Sequence, residues 1–221
     1  TRGIAFESMT IKNSTTTAIA LTDIRDIVLK DCLLLTNNKG FVFTNCSNIT
    51  VDSSVVASST SNGYEFTNCG QLTIRGLASV GNSGHNGVFS AVEKGNFLAC
   101  NASSAVGVSS DGLNFTNCED IDFNVLLNSN GRYGAHLVSG NDSISITGRM
   151  RNNVSDGIRI AATSDYCKII SSHFDTNGGW GINIAAATCD KNVVVGNSFN
   201  ANVSGTLSYS GTNTINTGNT I

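Results

Sequence analysis

Five residues with chemically useful side chains recur at a nearly constant spacing in the second half of the chain. Tyr133 and Asp156 are 23 residues apart, and Trp180 follows Asp156 by 24. His136 and Arg159 are likewise 23 residues apart. A phenol or imidazole can transfer a proton, a guanidinium grips a carboxylate, and an indole stacks on a flat ring face. If the fold brings such residues together, they predict proton transfer on an acidic ligand.

The spacing of these residues follows an internal repeat that covers nearly the whole chain. A glycine followed by an apolar–x–apolar triplet occurs seven times, at intervals of 22 to 25 residues. The glycines are Gly40, Gly63, Gly87, Gly112, Gly134, Gly157 and Gly181, and Ala18 replaces the glycine one interval earlier. Such a period is the sequence signature of a solenoid in which each repeat forms one coil.

Each repeat contains three short strand-like segments. After the glycine strand comes a second period-2 segment, such as 49–51 or 121–123, and then a short apolar position such as Met150. Such strands cannot bury an apolar face alone, but coils stacked about 4.8 Å apart form a continuous core. No segment has the 3.6-residue apolar period of a helical solenoid. We therefore predict an all-β fold, a right-handed single-stranded parallel β-helix of about nine coils.

In such a stack, equivalent residues of successive coils form columns on the surface. The middle residues of the glycine strands are predicted to point outward, in the order Val42, Glu65, Phe89, Asn114, His136, Arg159 and Asn183. The residues before the glycines form a neighbouring column of Lys39, Asn62, Asn86, Asp111, Tyr133, Asp156 and Trp180. His85 and Arg132 lie one residue further back in their coils.

These columns supply the candidate site. The predicted catalytic residues are His136, Tyr133, Arg159, Asp111 and Asp156, and the predicted substrate-binding residues are Trp180, Arg132, Asn114, Asn183 and Glu65. An acidic sugar chain suits this set, since an arginine would bind the uronate carboxylate while His136 or Tyr133 moves a proton. Hydrolysis by the two aspartates is the alternative, because their carboxyl groups can reach the separation of about 6.5–9.5 Å used by inverting glycosidases. The structural alternative is that exposed columns carry polar residues in any case.

Composition restricts the classes of function. Charged residues make up 13% of the chain and the net charge is −3, so no basic stripe is available for nucleic acid. No run of 18 apolar residues exists, which argues against membrane insertion. Neither His85 nor His173 has an Asp or Cys at ligand spacing, so we expect no metal and no other cofactor.

Cysteines and turn residues add structural expectations. The chain has seven cysteines and no C-x-x-C pair, and Cys46, Cys69 and Cys118 each end the word Phe-Thr-Asn-Cys, which predicts buried thiols. The repeated glycine is predicted to need a positive φ. An asparagine ladder is predicted at the corners, from Asn82, Asn128, Asn152 and Asn177.

The repeat predicts one β-helix domain over residues 1–221. Residues 1–17 contain the apolar triplets of a coil already in progress, so we expect that more protein, or another subunit, covers this first coil, and that the sequence is the C-terminal part of a longer chain. Residues 203–221 are rich in Gly, Thr and Asn with alternating apolar residues, which predicts the terminal coil or cap at a native C-terminus.

Two segments carry a family resemblance. The pattern Asn-x-x-x-Asp-Gly-Ile-x-Ile at 152–160 and the segment at 177–184 resemble the right-handed β-helix superfamily, which includes pectate lyase-like enzymes, polygalacturonase-like hydrolases, alginate epimerases and phage tail spikes. The resemblance implies a surface or extracellular polysaccharide as partner, an extracellular or virion location, and a possible homotrimer. It leaves open a non-catalytic stalk or receptor-binding module, because these motifs specify coils and not catalysis.

Overall fold

The repeat folds into a right-handed parallel β-helix, as the sequence predicts. A computed structural model describes residues 3–221, so the expectation about what precedes Thr1 lies outside the described residues. Within residues 3–221 there is no helix, and parallel strands stack in about nine turns. No segment of residues 3–221 is therefore a helix long and apolar enough to cross a membrane.

The strands, numbered β1 to β25 in chain order, form two sheets. Sheet 1 has one strand per coil: β3 (Thr17–Thr22), β6 (Lys39–Thr44), β9 (Tyr64–Thr67), β12 (Gly87–Ser90), β14 (Leu113–Thr116), β16 (Ala135–Ser139), β18 (Ile158–Ile160), β21 (Trp180–Ile184) and β24 (Gly205–Tyr209).

Sheet 2 has two rows of strands that meet at a bend. The first row is β1 (Ile4–Glu7), β4 (Arg25–Lys30), β7 (Ser47–Asp52), β10 (Gly70–Arg75), β13 (Glu93–Ser103), β15 (Glu119–Asn128), β17 (Asp142–Arg151), β19 (Lys168–Ile170), β22 (Val193–Val195) and β25 (Ile215–Thr217). The second row is β2 (Thr10–Lys12), β5 (Leu33–Leu35), β8 (Val55–Ala57), β11 (Ala78–Val80), β20 (His173–Asp175) and β23 (Ser198–Asn200). The longer strands β13, β15 and β17 run through the bend and contribute to both rows.

The core is a stack of like residues from successive coils. Alternate side chains of each strand point inward, as the period-2 pattern predicts. Phe89 lies between Phe66 and Phe115, with ring centroids 5.7 Å and 4.8 Å away. Stacked aromatic rings add to the stabilisation that burial of their area provides. Phe89 was predicted to point outward, but it is fully buried, and Val88 takes the outward position instead.

The recurring glycine is required by close packing and not by its φ angle. The glycines that precede the strands of sheet 1 do not have positive φ, contrary to the prediction. At Gly112, an added Cβ would lie 2.5 Å from the carbonyl oxygen of Gly134 in the next coil. Coils approach too closely at this corner for a side chain, which explains why glycine recurs there.

A ladder of buried asparagines packs against these glycines. Asn153 Nδ2 donates to Asn177 Oδ1 at 2.8 Å and to the Leu127 carbonyl at 3.2 Å, while its Oδ1 accepts from Asn130 Nδ2 at 2.9 Å. The sequence predicted Asn82 and Asn177 in this ladder correctly. Asn128 and Asn152 also bond to each other across adjacent coils, but on the outer surface and outside this buried ladder.

One coil departs from the repeat, and its ladder explains the departure. Ala105 occupies the position where the neighbouring coils have a ladder asparagine. The Asn86 side chain fills this gap: its Nδ2 donates to Asn130 Oδ1 at 3.1 Å, and its Oδ1 accepts from Asn82 Nδ2 at 2.7 Å. Asn86 therefore takes the glycine position, and Gly87 moves into the strand opposite Tyr64.

The cysteines are part of the core. All seven are buried and none is disulfide-bonded. Burial raises the pKa of Cys69 and of Cys118 to about 11, so both thiols stay protonated at neutral pH. They pack as small apolar groups, which agrees with the sequence-based expectation.

Asn153→Ala is expected to lower the free energy of unfolding by about 2–4 kcal/mol, because it leaves the Leu127 carbonyl and an Asn130 amide buried without partners. Urea unfolding measures this effect. Asn96→Ala, at an exposed strand position, is the matched control and should change the stability by no more than about 0.5 kcal/mol. Equal effects of the two substitutions would contradict the importance of the ladder.

Candidate functional site

The candidate site lies on the outer face of sheet 1 and the corner that precedes it. The parallel register aligns Asn114 with His136, His136 with Arg159, and Arg159 with Asn183 in successive coils. This column of outward residues is the predicted one. Because the register fixes it, residues about 23 positions apart in sequence become neighbours about 4.8 Å apart.

The corner column contains a residue that the sequence placed elsewhere. His85, and not Asn86, precedes the glycine-equivalent position, because Asn86 turns into the ladder. His85 therefore stands beside Asp111 of the next coil, with His85 Nδ1 accepting a hydrogen bond from the Asp111 backbone N–H at 2.9 Å. The signal that could have revealed this was the absence of an asparagine at position 105.

Asp111 is the centre of the hydrogen-bond network. Its side chain is fully buried although the corner faces solvent. The Arg132 guanidinium grips it with two bonds, from Nε to Oδ1 at 2.8 Å and from Nη2 to Oδ2 at 2.7 Å. Asn114 Nδ2 donates to Oδ2 at 2.9 Å, and the Tyr133 backbone N–H donates to Oδ1 at 3.3 Å.

These contacts keep Asp111 ionised. Burial by itself raises the pKa of Asp111, but the contacts from Arg132, His136 and Asn114 outweigh it and hold that pKa well below the ordinary value. A carboxylate that stays ionised accepts hydrogen bonds and cannot donate a proton. Asp111 is therefore suited to orient its neighbours and not to serve as a general acid.

Two histidines flank Asp111, and a hydrogen bond from the Asp111 backbone assigns the proton of His85. Burial lowers the pKa of His85, against the opposing effect of Asp111, so His85 is neutral with its proton on Nε2. Although its Nδ1 is 3.5 Å from Asp111 Oδ2, this contact is not an ion pair. His136 Nδ1 lies 3.3 Å from Arg132 Nη2. The same nitrogen lies 3.5 Å from Asp111 Oδ2.

Tyr133 lies between two cations. The Arg132 and Arg159 guanidinium carbons are 4.9 Å and 5.5 Å from its ring centroid, and His136 meets the ring edge-on at 4.9 Å. Such distances are those of cation–π contacts. Among residues 3–221, no group hydrogen-bonds to the Tyr133 hydroxyl. The phenol is thus held in place through its ring while its oxygen stays available.

Asp156 organises the next part of the site. Its Oδ1 accepts the Trp180 backbone N–H at 2.8 Å, and its Oδ2 accepts Asn183 Nδ2 at 3.0 Å. Arg159 Nη1 is 3.7 Å from Oδ2, which is too long for a hydrogen bond. Arg159 therefore feels the charge of Asp156 but keeps its donors available. The half-buried Trp180 ring packs over Gly205.

The contacts join nine of the ten predicted site residues into one cluster across four coils; they are Asp111, Asn114, Arg132, Tyr133, His136, Asp156, Arg159, Trp180 and Asn183. Glu65 lies apart from them. It accepts from Asn62 Nδ2 at 2.8 Å and pairs with Lys39 at 2.7 Å. Within residues 3–221, no group of three or more His, Cys, Asp or Glu side chains is placed to hold a metal ion.

Asp111→Asn is expected to make the protein less sensitive to acid. Because the folded-state pKa of Asp111 is depressed, its stabilisation is complete above the unfolded-state pKa of about 4 and is lost as the pH falls below it. The wild type should therefore lose more free energy of unfolding between about pH 7 and about pH 3 than the variant does. Urea unfolding at both values measures this difference.

The variant should also be less stable at neutral pH, by about 3 kcal/mol, because Arg132 loses its carboxylate partner. Asp122→Asn, at an exposed strand position, is the control and should leave the pH dependence close to that of the wild type. The assignment fails if both variants respond to pH as the wild type does.

Comparison with known proteins identifies the fold. No protein-family model and no curated protein sequence matches the chain. Among solved structures, the chain is similar to the A-module of the mannuronan C-5 epimerase AlgE4 from Azotobacter vinelandii, with 13% identity and a TM-score of 0.70 over 99% of this chain and 79% of that one. A point mutant of the periplasmic alginate epimerase AlgG matches with 10% identity and a TM-score of 0.62, over 98% and 77% of the two chains.

A phage protein shares the same architecture. Tailspike protein 3 of bacteriophage CBA120 matches with 10% identity and a TM-score of 0.58, over 96% of this chain. This chain spans 47% of the tailspike's length. At these identities the likeness concerns the fold alone. The chain is a right-handed parallel β-helix, the architecture that it shares with these epimerases and this tailspike.

Proposed function

We propose that the outer face of sheet 1 binds an acidic polysaccharide and that the cluster around Tyr133 moves the C5 proton of a uronate residue. The observation that carries this proposal is the arrangement of Tyr133 and Arg159. A phenol without a hydrogen-bond partner in residues 3–221 stands beside a guanidinium that no carboxylate grips. The names of two structural neighbours, a mannuronan and an alginate epimerase, support a uronate polymer as substrate.

Arg159 is the group assigned to the substrate carboxylate. The two possible arginines differ, since Arg132 already gives two donors to Asp111 while Arg159 gives no hydrogen bond to Asp156. His136 lies beside Arg159 on the same face, in the preceding coil. Neutralising the carboxylate in this way stabilises the negative charge that develops when the adjacent C–H bond breaks.

Tyr133 is the group assigned to proton transfer. In its deprotonated form it takes the proton from C5, and the electron pair of the C5–H bond moves toward the carboxylate. Elimination follows if the C4–O bond breaks, a C4–C5 double bond forms and the leaving oxygen takes a proton. Epimerisation follows if a water molecule gives a proton to C5 from the opposite face and the hydroxide that remains is neutralised by the proton that Tyr133 took. The guanidinium groups of Arg132 and Arg159 flank the ring that carries this hydroxyl.

The remaining residues suit subsites along the chain of sugars. Trp180 offers a ring face for stacking one coil beyond Arg159. Asn114 and Asn183 present amides on either side of the central pair, and Glu65 lies at the distant end of the same face. Binding sites spaced by one coil would follow a polymer laid along the helix axis.

Hydrolysis is the less favoured chemistry. An inverting or retaining glycosidase needs one carboxylic acid that is protonated before the reaction. Asp111 cannot supply it, because Arg132 and Asn114 hold its pKa low. The Asp156 carboxylate already accepts two hydrogen bonds, from the Trp180 backbone and from Asn183.

The alternative is a non-catalytic module, either a stalk or a receptor-binding segment of a spike. The match to a phage tailspike, of which this chain spans about half, favours this second candidate. In both proposals the protein works outside the cell or on a virion, and a homotrimer would place three sheet 1 faces around one axis.

The direct test is incubation of the protein with mannuronate, guluronate and galacturonate polymers in deuterated water. New absorbance from unsaturated uronate indicates elimination, and deuterium at C5 without that absorbance indicates epimerisation. Tyr133→Phe is expected to reduce kcat by about 100-fold or more, because it removes the proton-transfer group. Arg159→Ala is expected mainly to raise KM, because it removes a carboxylate contact.

Tyr166→Phe is the matched control. Tyr166 is an exposed tyrosine outside the cluster, and its hydroxyl accepts a hydrogen bond from Lys191. It should retain wild-type rates. New reducing ends without either signal would replace the proposal with hydrolysis. Binding without turnover on every polymer would establish the non-catalytic module instead.

A further inference from the structure

A second groove lies on the other side of the β-helix, at the bend between the two rows of sheet 2. It has a volume of about 720 Å³ and spans several coils. The chain there carries small residues, among them Ala99, Gly148, Ser171 and Gly196. Gly148 has a φ of 142°, which only glycine adopts readily, and a Cβ there would strike the backbone of Val125. Small residues keep the concave side of the bend open.

Polar groups stack along one wall of this groove. The register places Arg149, His173 and Ser198 opposite one another in three successive coils. His173 Nδ1 and Ser198 Oγ are 2.6 Å apart, so the hydroxyl fixes the orientation of the ring. Asn101 and Asn124 add amide groups to the lining. The three stacked residues supply a guanidinium, an imidazole and a hydroxyl, separated by one coil each.

The charge of this wall is not compensated. Arg149 is exposed and forms no ion pair within residues 3–221. Arg149 therefore offers an unpaired cation to an anion in the groove, whereas Arg132 in the first site already has an anionic partner in Asp111.

We propose that this groove is a second glycan-binding site, which takes an acidic sugar residue with its carboxylate on Arg149 and His173. An arginine binds a carboxylate through two donors, and the nearby hydroxyl and amide groups suit the hydroxyls of the sugar ring. The proposal rests on the groove alone and does not depend on catalysis at Tyr133. A polysaccharide held on two faces of one rod would gain avidity without new contacts at either face.

The test is a titration of a uronate hexasaccharide into isotope-labelled protein, followed by the backbone amide signals. We expect shifts of Gly148, His173 and Ser198 in the wild type, and a separate set of shifts on sheet 1 if the proposed function holds. Arg149→Gln should raise the dissociation constant of the hexasaccharide at the groove by about tenfold or more and leave the sheet 1 shifts unchanged. Arg25→Gln, an exposed arginine on β4, should change neither set.

Two further ligands identify what the groove recognises. The carboxyl-reduced, neutral hexasaccharide and inorganic sulfate should each shift the groove signals much less than the uronate does. The proposal is overturned if the groove signals do not move, if Arg149→Gln leaves them unchanged, or if the neutral sugar binds equally well. Equal binding of sulfate would overturn the sugar assignment in favour of a bare oxyanion site. Loss of the sheet 1 shifts alone would count against the proposed function and leave the groove intact.

Discussion

The hydrogen bonds between the backbones of successive coils determine where every side chain in this protein lies. The Gly112 N–H donates to the Tyr133 carbonyl at 2.9 Å, and the Gly157 N–H donates to the Trp180 carbonyl at 2.9 Å. Because this pattern continues from coil to coil, equivalent residues must stack about 4.8 Å apart. A polar or charged group in one coil therefore meets whatever the adjacent coils carry at the same position. Core, ladder and surface columns all result from this constraint.

The coil around Asn86 illustrates how strict the constraint is. Without a ladder asparagine at Ala105, the buried amides on either side would lose a partner, at a cost of about 1–3 kcal/mol for each unsatisfied group. The Asn86 amide restores the ladder by hydrogen-bonding to Asn82 and to Asn130, which lies 44 residues further along the chain. The same movement brings His85 beside Asp111. A packing requirement in the interior thus alters the chemistry of the surface.

The sequence predicted the fold, and nine of the ten residues that it proposed for the site lie in one cluster; the reasons for its failures are physical. The glycine period fixed the columns that contain His136 and Arg159, since a parallel stack converts a period into a neighbourhood. The prediction failed at Phe89 because this strand is shifted by one residue. The shift lets the Asn86 side chain replace the missing ladder asparagine, and the glycine period gives no sign of that replacement. The bidentate grip of Arg132 on Asp111 was also not predictable, because Arg132 lies outside the two columns. The bend that opens the groove beside Arg149 depends on backbone angles rather than on the repeat.

The charged residues of the candidate site differ in whether another residue already pairs with their charge. Because only 13% of the residues are charged, the cations of this surface fall into those that pair with a nearby anion and those that do not. Arg132 and Asp111 neutralise each other through two short bonds, and together they fix His136 and the backbone of Tyr133. A pair so fully engaged orients its neighbours but exchanges neither proton nor ligand. The proposed function therefore assigns anion binding to the less engaged Arg159, and proton transfer to Tyr133, whose ring lies between the two arginines. In the proposed reaction the aspartates therefore position the site, and the reacting groups are Tyr133 and Arg159.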